Sequence, residues 1–326
     1  MTITTSSVDL LKKALLLVTL FGSVAFAQNY PDRSIKILQG FAPGGNADAI
    51  ARAVGTEISK SLGQAVVVEA QAGAGGTIAA TTVAKAKPDG YTLLLATGGH
   101  AVAGAIYNNL NYKTVQDFEM ISTITYFPFL IVVSADNKIA NFPALLAQAK
   151  ANPGKIAYGT AGIGSTHHLA GELLASMAKV DLLHVPYRGD AGSITALLSG
   201  DVPFIIAPPT AVLSNIKAGK LKAIAATGPQ RWTGLPDVPT VAELGFPGFD
   251  ANVWYMLMGP PGLPTPIAER WVAAVNKAFA DPALRQRVRE AGFLIGGGSQ
   301  ADAAAMLKND ADRYAALVRG ANIKLD

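Results

Sequence analysis

Short apolar runs alternate along this chain with stretches whose apolar residues recur every three to four positions. The runs Ser34–Phe41, Ala65–Glu69, Tyr91–Thr97, Phe129–Ser134, Lys155–Thr160, Leu182–Tyr187, Val202–Ala207, Leu221–Thr227 and Asn252–Gly259 have the length and composition of strands. Between them, Ala47–Leu62, Thr77–Ala86, Pro143–Ala151, Thr166–Ala178, Gly192–Leu198 and Ala211–Ala218 carry helical spacing. In the first of these, Ala47, Ile50, Ala51, Val54 and Ile58 fall on one face. Strands alternating with helices predict an α/β fold with a mostly parallel sheet. After Gly259 the pattern becomes purely helical: Pro266–Ala280 and Pro282–Ala291, parted at Asp281-Pro282, then Gln300–Arg319. These predict helices laid on a finished sheet. No repeat of fixed period and no low-complexity linker interrupts the chain, so its halves are not flexibly tethered.

The N-terminus has a different character. Lys12 and Lys13 precede the apolar run Ala14–Val24, and Ala25-Phe26-Ala27 supplies a small-x-small cleavage signal. That is the layout of a secretory leader, with residues 1–27 removed. Its core is too short for a permanent membrane anchor, and no later run is long and apolar enough to span. Gln28, not a cysteine, stands at the expected cleavage point, which excludes a lipid anchor through cysteine there. The chain has no cysteine at all, so disulfides, thiolate nucleophiles and cysteine-ligated metals are excluded. A disulfide-free exported chain of 326 residues predicts the bacterial periplasm and two domains. The leader takes two lysines and one aspartate with it, which lowers the net charge from +4 to +3. The basic residues are scattered without aromatic interleaving, which argues against nucleic acid as a partner.

The candidate chemistry lies in glycine loops between strands and helices. In ILQGFAPGGNADAIARAVG, a strand ends at Phe41, and Gly44 and Gly45 precede a helix that Asn46 can cap and whose first turn holds Asp48. A helix start offers unpaired N–H groups and partial positive charge, and glycines allow close approach, so such a junction can cradle an anion. A tight strand–helix turn with an ordinary cap explains the same residues. YGTAGIGSTHHLAGELL repeats the layout with Gly159, Gly162 and Gly164 before Ser165 and Thr166, whose hydroxyls can cap the helix or donate to a carboxylate. Two cradles more than a hundred residues apart suit a ligand held between two lobes.

Other chemistries fit less well. Gly159, Gly162 and Gly164 match a dinucleotide loop only loosely, with no acidic ribose partner after the following strand, so no cofactor is expected. GIGST is not a G-x-S-x-G elbow. His167 and His168 diverge by about 100° on a helix and do not share a metal easily. A periplasmic hydrolase would have to use Ser165 with His168, and no orienting acid is evident. Strand ends at Thr97-Gly98-Gly99 and at Tyr187 belong at the rim of a crevice, as carboxyl ends do in open α/β sheets. Phe41, Tyr126, Phe127 and Trp254 could shape a ring-sized pocket, although core packing accounts for them as well.

The segments YPDRSIKILQGFAPGGNADAIAR, GAGGTIAATTVAKAKPDGYTLLL, YGTAGIGSTHHLAGELL, VPYRGDAGSITALLSGD and IKAGKLKAIAATGPQRWTGLPDVPTVAELGFPGF resemble the Bug (TctC-like) family over essentially the whole mature chain. These are periplasmic substrate-binding proteins of tripartite tricarboxylate transporters. The resemblance implies a two-lobed Venus flytrap, with residues 28–132 and 253–326 in one lobe and 133–252 in the other. It implies a monomer that carries a small organic carboxylate to membrane permease subunits and performs no covalent chemistry. A periplasmic sensor that signals to a membrane kinase would share the fold. By resemblance, Gly44, Gly45, Asn46, Asp48, Gly162, Ser165 and Thr166 hold the carboxylate, with Thr97 and Tyr187 as walls. Asn46-Ala47 departs from the family's small residue and threonine. Pro203 and Ala207 stand where acids are common, which implies a less acidic wall and a ligand without an α-amino group.

Overall fold

In a computed structural model, residues 30–107 and 109–320 are described; the leader lies outside them. Two sheets account for every predicted strand. The first contains Ile35–Gln39 (β1), Val66–Ala70 (β2), Thr92–Thr97 (β3), Glu119–Pro128 (β4), Asn252–Gly259 (β10) and Leu294–Gly297 (β11), in the order β11-β4-β10-β3-β1-β2. The second contains Leu130–Ser134 (β5), Ala157–Thr160 (β6), Leu183–Pro186 (β7), Phe204–Ala207 (β8) and Leu221–Ala226 (β9), in the order β7-β6-β8-β5-β9. β1 pairs in parallel with β2 and β3, whereas β10 runs antiparallel to both β3 and β4. β11 also runs antiparallel to β4, so three of the five pairings in the first sheet are antiparallel and it is mixed, where a mostly parallel sheet was expected. β6 is parallel to β7 and β8, and β5 runs antiparallel to β8 and β9.

The helices are Asn46–Leu62 (α1), Thr77–Ala84 (α2), Gly99–Ile106 (α3), Phe142–Ala151 (α4), Thr166–Ala178 (α5), Gly189–Ser199 (α6), Pro209–Lys217 (α7), Thr265–Ala280 (α8), Pro282–Glu290 (α9) and Gln300–Gly320 (α10). The central strands β3 and β10 of the first sheet are buried on both faces, which is why they read as near-continuous apolar runs. Ile35, Ile37, Leu93, Leu95, Val253 and Leu257 turn to α1 and α8, where Ile50, Val54, Trp271 and Val275 wait. Leu38, Leu94, Ala96, Trp254 and Met256 turn to the other side, against Val83 of α2, Val102 of α3 and Leu307 and Tyr314 of α10. Each large apolar side chain so buried contributes about 1.5–3 kcal/mol. Asn141 and Asp281 start α4 and α9 by accepting N–H bonds from Ala144 and Ala283.

α3, β4 and β11 occur where the hydrophobic pattern predicts nothing. α3 contains Gly99 and Gly104, poor helix formers. Gly104 is required because a Cβ there would meet the Thr114 side chain, 2.5 Å from Oγ1. β4 carries Ser122, Thr123 and Thr125, polar yet buried, and so lacks the expected apolar run.

The chain changes sheet where β4 runs through Phe129 into β5, and again where the segment after β9 returns to β10. Thr227, 1% exposed, joins these crossings. Its N–H donates to Phe129 O and its carbonyl accepts from Ala251 N, both at 2.9 Å. Its hydroxyl accepts from Phe129 N at 2.8 Å and donates to Ala251 O at 3.1 Å.

Candidate functional site

The loops after β1, β2 and β3 face the loops after β6 and β7 across a cleft of about 520 Å³. One wall holds Phe41, Gly75, Thr97 and Gly99 with Val102, Ala103 and Ile106 of α3 and Tyr107 just beyond it; the other holds Ala161 through His167 with Gly189 and Asp190. The walls approach closely beside it: a Cβ on Gly98 would stand 3.4 Å from Thr166 Cγ2. The starts of α3, α5 and α6 open into this space. Their first N–H groups have no partner within the helix, and their partial positive charges add, so the cleft favours an anion.

The second glycine loop is tied to itself. Gly162 and Gly164 adopt φ of 138° and 70°, which side chains rarely tolerate. Gly162 N–H donates to Thr160 Oγ1 and Gly164 N–H to His168 Nδ1, each at 3.2 Å. Ser165 caps α5 by accepting from His168 N–H at 3.2 Å, while its own proton goes to Gly162 O at 2.7 Å. That hydroxyl is therefore spent within the loop instead of reaching a ligand. Thr166 lies at the lip, opposite Gly98. Beneath the loop His168 stacks on His184 at 3.7 Å between centroids. Tyr158 donates to Glu172 at 2.7 Å, and Thr160 Oγ1 lies 2.6 Å from His184 Nε2. Burial, then the charge of His168, pushes His184 down to about 4. Ser165 meets His168 through the backbone, and the ring nitrogen is already engaged, so no serine–histidine nucleophile is assembled. Among the described residues, no cluster of three or more His, Asp or Glu is placed to hold a metal.

The first loop is arranged differently. Gly44, at φ 82°, donates its N–H to Asp48 Oδ2 at 3.1 Å. Arg52 Nε donates to the same oxygen at 3.0 Å. Arg52 first, and then the Gly44 N–H, holds the Asp48 carboxyl below its ordinary range. Asp48 therefore binds the loop to the helix and turns away from the cleft. Gly45, not Asn46, is the N-cap residue of α1. Asn46 instead reaches α7, beside the second sheet, where its Nδ2 donates to Thr210 Oγ1 at 2.9 Å. Of the first loop, Phe41 lines the cavity of about 520 Å³, while Gly44, Gly45, Asn46 and Asp48 lie outside its lining. Tyr187 packs its ring beside Gly159 and Gly192, behind the second loop. Phe127 and Trp254 are core residues, and Tyr126 packs half-buried against the core. The α3 wall, His167 and Asp190 are additions that sequence pattern missed. Asp190 also puts an acid on a wall expected to have few, with His167 Nε2 at 3.1 Å beside it.

Comparison with known proteins gives a consistent picture. Residues 50–323 match the model of the tripartite tricarboxylate transporter family receptor. A protein encoded in the tcbD-tcbE intergenic region of Pseudomonas sp. strain P51 is 38% identical over 290 residues, 89% of this chain and 86% of that one. Protein BugT of Bordetella pertussis is 34% identical, covering 92% of each chain. Among solved structures, the periplasmic binding protein BugD is 34% identical, with a TM-score of 0.75 over 90% of this chain and 99% of that one. MatC from Rhodopseudomonas palustris with bound malate is 31% identical, with a TM-score of 0.75 over 89% of this chain and 100% of that one. An R. palustris protein with adipate is also 31% identical, with a TM-score of 0.78 over 90% and 99%. With its two α/β sheets facing across an anion-favouring cleft, the chain belongs to the tripartite tricarboxylate transporter receptor family.

Proposed function

We propose that this protein is a periplasmic solute receptor that captures a small organic carboxylate between two lobes and delivers it to the membrane permease of a tripartite tricarboxylate-type transporter. The lobes follow the two sheets, residues 30–129 with 252–320 in one and 130–251 in the other, so the boundary expected at 132/133 moves to the start of β5; the crossings at Phe129 and Thr227 act as the joint between them. The observation that carries this reading is the cleft itself, into which helix starts from both sheets converge. The malate and adipate held by relatives support a carboxylate ligand. Thr97, Gly98, Gly162 and Thr166 edge the ligand space. Gly44, Gly45, Asn46 and Asp48 shape the first loop and its contact with the opposite lobe. The protein acts as a monomer, closing by a hinge motion on its ligand. A thermal-shift screen of organic acids tests the reading, since a ligand that binds only the folded form raises the melting temperature. Stabilisation by at least one carboxylate and not by the matching amide is expected; a screen in which no acid shifts the transition refutes the reading.

A further inference from the structure

The two walls of the cleft differ in kind. One carries the starts of α5 and α6 with His167 and Asp190; the other presents Val102, Ala103, Ile106 and Tyr107. No lysine or arginine occurs among the described residues that line it. His167 and Asp190 form an isolated pair: Nε2 stands 3.1 Å from Oδ1, and neither ring nitrogen nor that oxygen has a well-aligned hydrogen-bond partner. The imidazole lies against Phe129, with centroids 4.2 Å apart, which limits its rotation. Asp190 also reaches the opposite lobe electrostatically. The Tyr255 phenol is pushed up by burial first and then by this carboxylate.

These features limit how much negative charge the cleft can accept. A helix start supplies about half a unit of positive charge, and Asp190 already uses part of what is present. A second or third ligand carboxylate would be desolvated without a cation to meet it. The α3 wall rewards buried apolar surface instead, and a cleft of about 520 Å³ has the capacity for a ring.

We propose that the cleft takes a monocarboxylate with an apolar, ring-sized body: its carboxylate lies at the start of α5 with His167 as side-chain donor, Asp190 positions His167, and its body rests on Val102, Ile106 and Tyr107. This rests on the receptor reading and names the ligand class within it.

Calorimetric titration of the purified protein with benzoate, cyclohexanecarboxylate, malate, adipate and citrate tests this. The two monocarboxylates are expected to bind at least about tenfold more tightly than the other three. His167→Ala should weaken benzoate by about tenfold or more, and Asp190→Asn by about threefold or more. An Asp190 that merely repelled the ligand would give the opposite sign, with Asp190→Asn binding more tightly. Tyr107→Glu, at an exposed position, should abolish benzoate binding while leaving the unliganded melting temperature unchanged. Malate, adipate or citrate binding as tightly as benzoate overturns the proposal and leaves the receptor reading intact. Ranking the acids on the unaltered protein keeps the test decisive if a variant fails to fold. If none of the five binds while another acid of the thermal-shift screen does, the proposal falls and the receptor reading stands; if no acid binds in either experiment, both fall.

Discussion

Thr227→Val separates the hydroxyl at the joint from its shape. The two side chains are nearly isosteric, and the site is 1% exposed, so neither water nor a rearranged neighbour can replace what is lost. In the native protein the hydroxyl satisfies Phe129 N–H at 2.8 Å and Ala251 C=O at 3.1 Å, one on each strand that passes between the sheets. Valine leaves both unpaired, and each orphaned buried group costs about 1–3 kcal/mol. The added methyl returns about 0.8 kcal/mol of burial. The net expected loss is about 1–5 kcal/mol, read as a lower urea midpoint at unchanged slope. Thr227→Ser keeps the hydroxyl and removes one methyl, so it should cost only about 1 kcal/mol. A loss below about 0.5 kcal/mol for valine, or a serine variant as damaged as the valine one, would refute the reasoning.

The part of the fold that could be read from sequence is the part in which apolar residues are consecutive. β10 reads NVWYMLMG because both its faces are covered, and it stands in the structure over Asn252–Gly259 as expected. β4 is equally central but pays for part of its burial with Ser122, Thr123 and Thr125, whose polarity conceals a core strand. α3 is hidden by two glycines, one of which exists only because Thr114 comes too close for a side chain. Missing α3 removed one wall of the cleft from view, since Val102 and Ile106 belong to it and Tyr107 follows its last turn. Glycine loops before helices could be read because their backbone demands are local. Which of their N–H groups face inward could not, because Asp48, Thr160 and His168 settle that from other positions. His167 and Asp190 lie in different segments, 23 positions apart in sequence, and only the pairing of β6 with β7 brings them together.

Gly40→Ala places a methyl on the Gly76 backbone, so the Ala74–Gly76 turn beside the cleft must move; a loss of about 1–3 kcal/mol in urea unfolding is expected, and a neutral result would show that the turn yields freely. Asn46→Ala and Thr210→Val each remove the 2.9 Å bond between the first loop and α7; each should widen the molecule in small-angle scattering without ligand, and a double variant no wider than either single one is the expected sign that both act through this bond. Acid sensitivity is assigned to His100, whose ring stacks on Tyr112 and holds Thr114 O at 2.9 Å. Burial pushes it from the ordinary 6.5 down to about 4. The unfolded chain therefore takes up a proton that the folded one refuses, so the stability is whole above 6.5, declines as the pH falls through that window, and levels off below about 4. At about 1.36 kcal/mol per unit, the full loss from this residue is on the order of 3 kcal/mol. Urea unfolding at about pH 7.5 and about pH 4.5 should show the native protein losing roughly 2 kcal/mol more than His100→Gln, which never titrates, and equal losses would remove His100 as the cause.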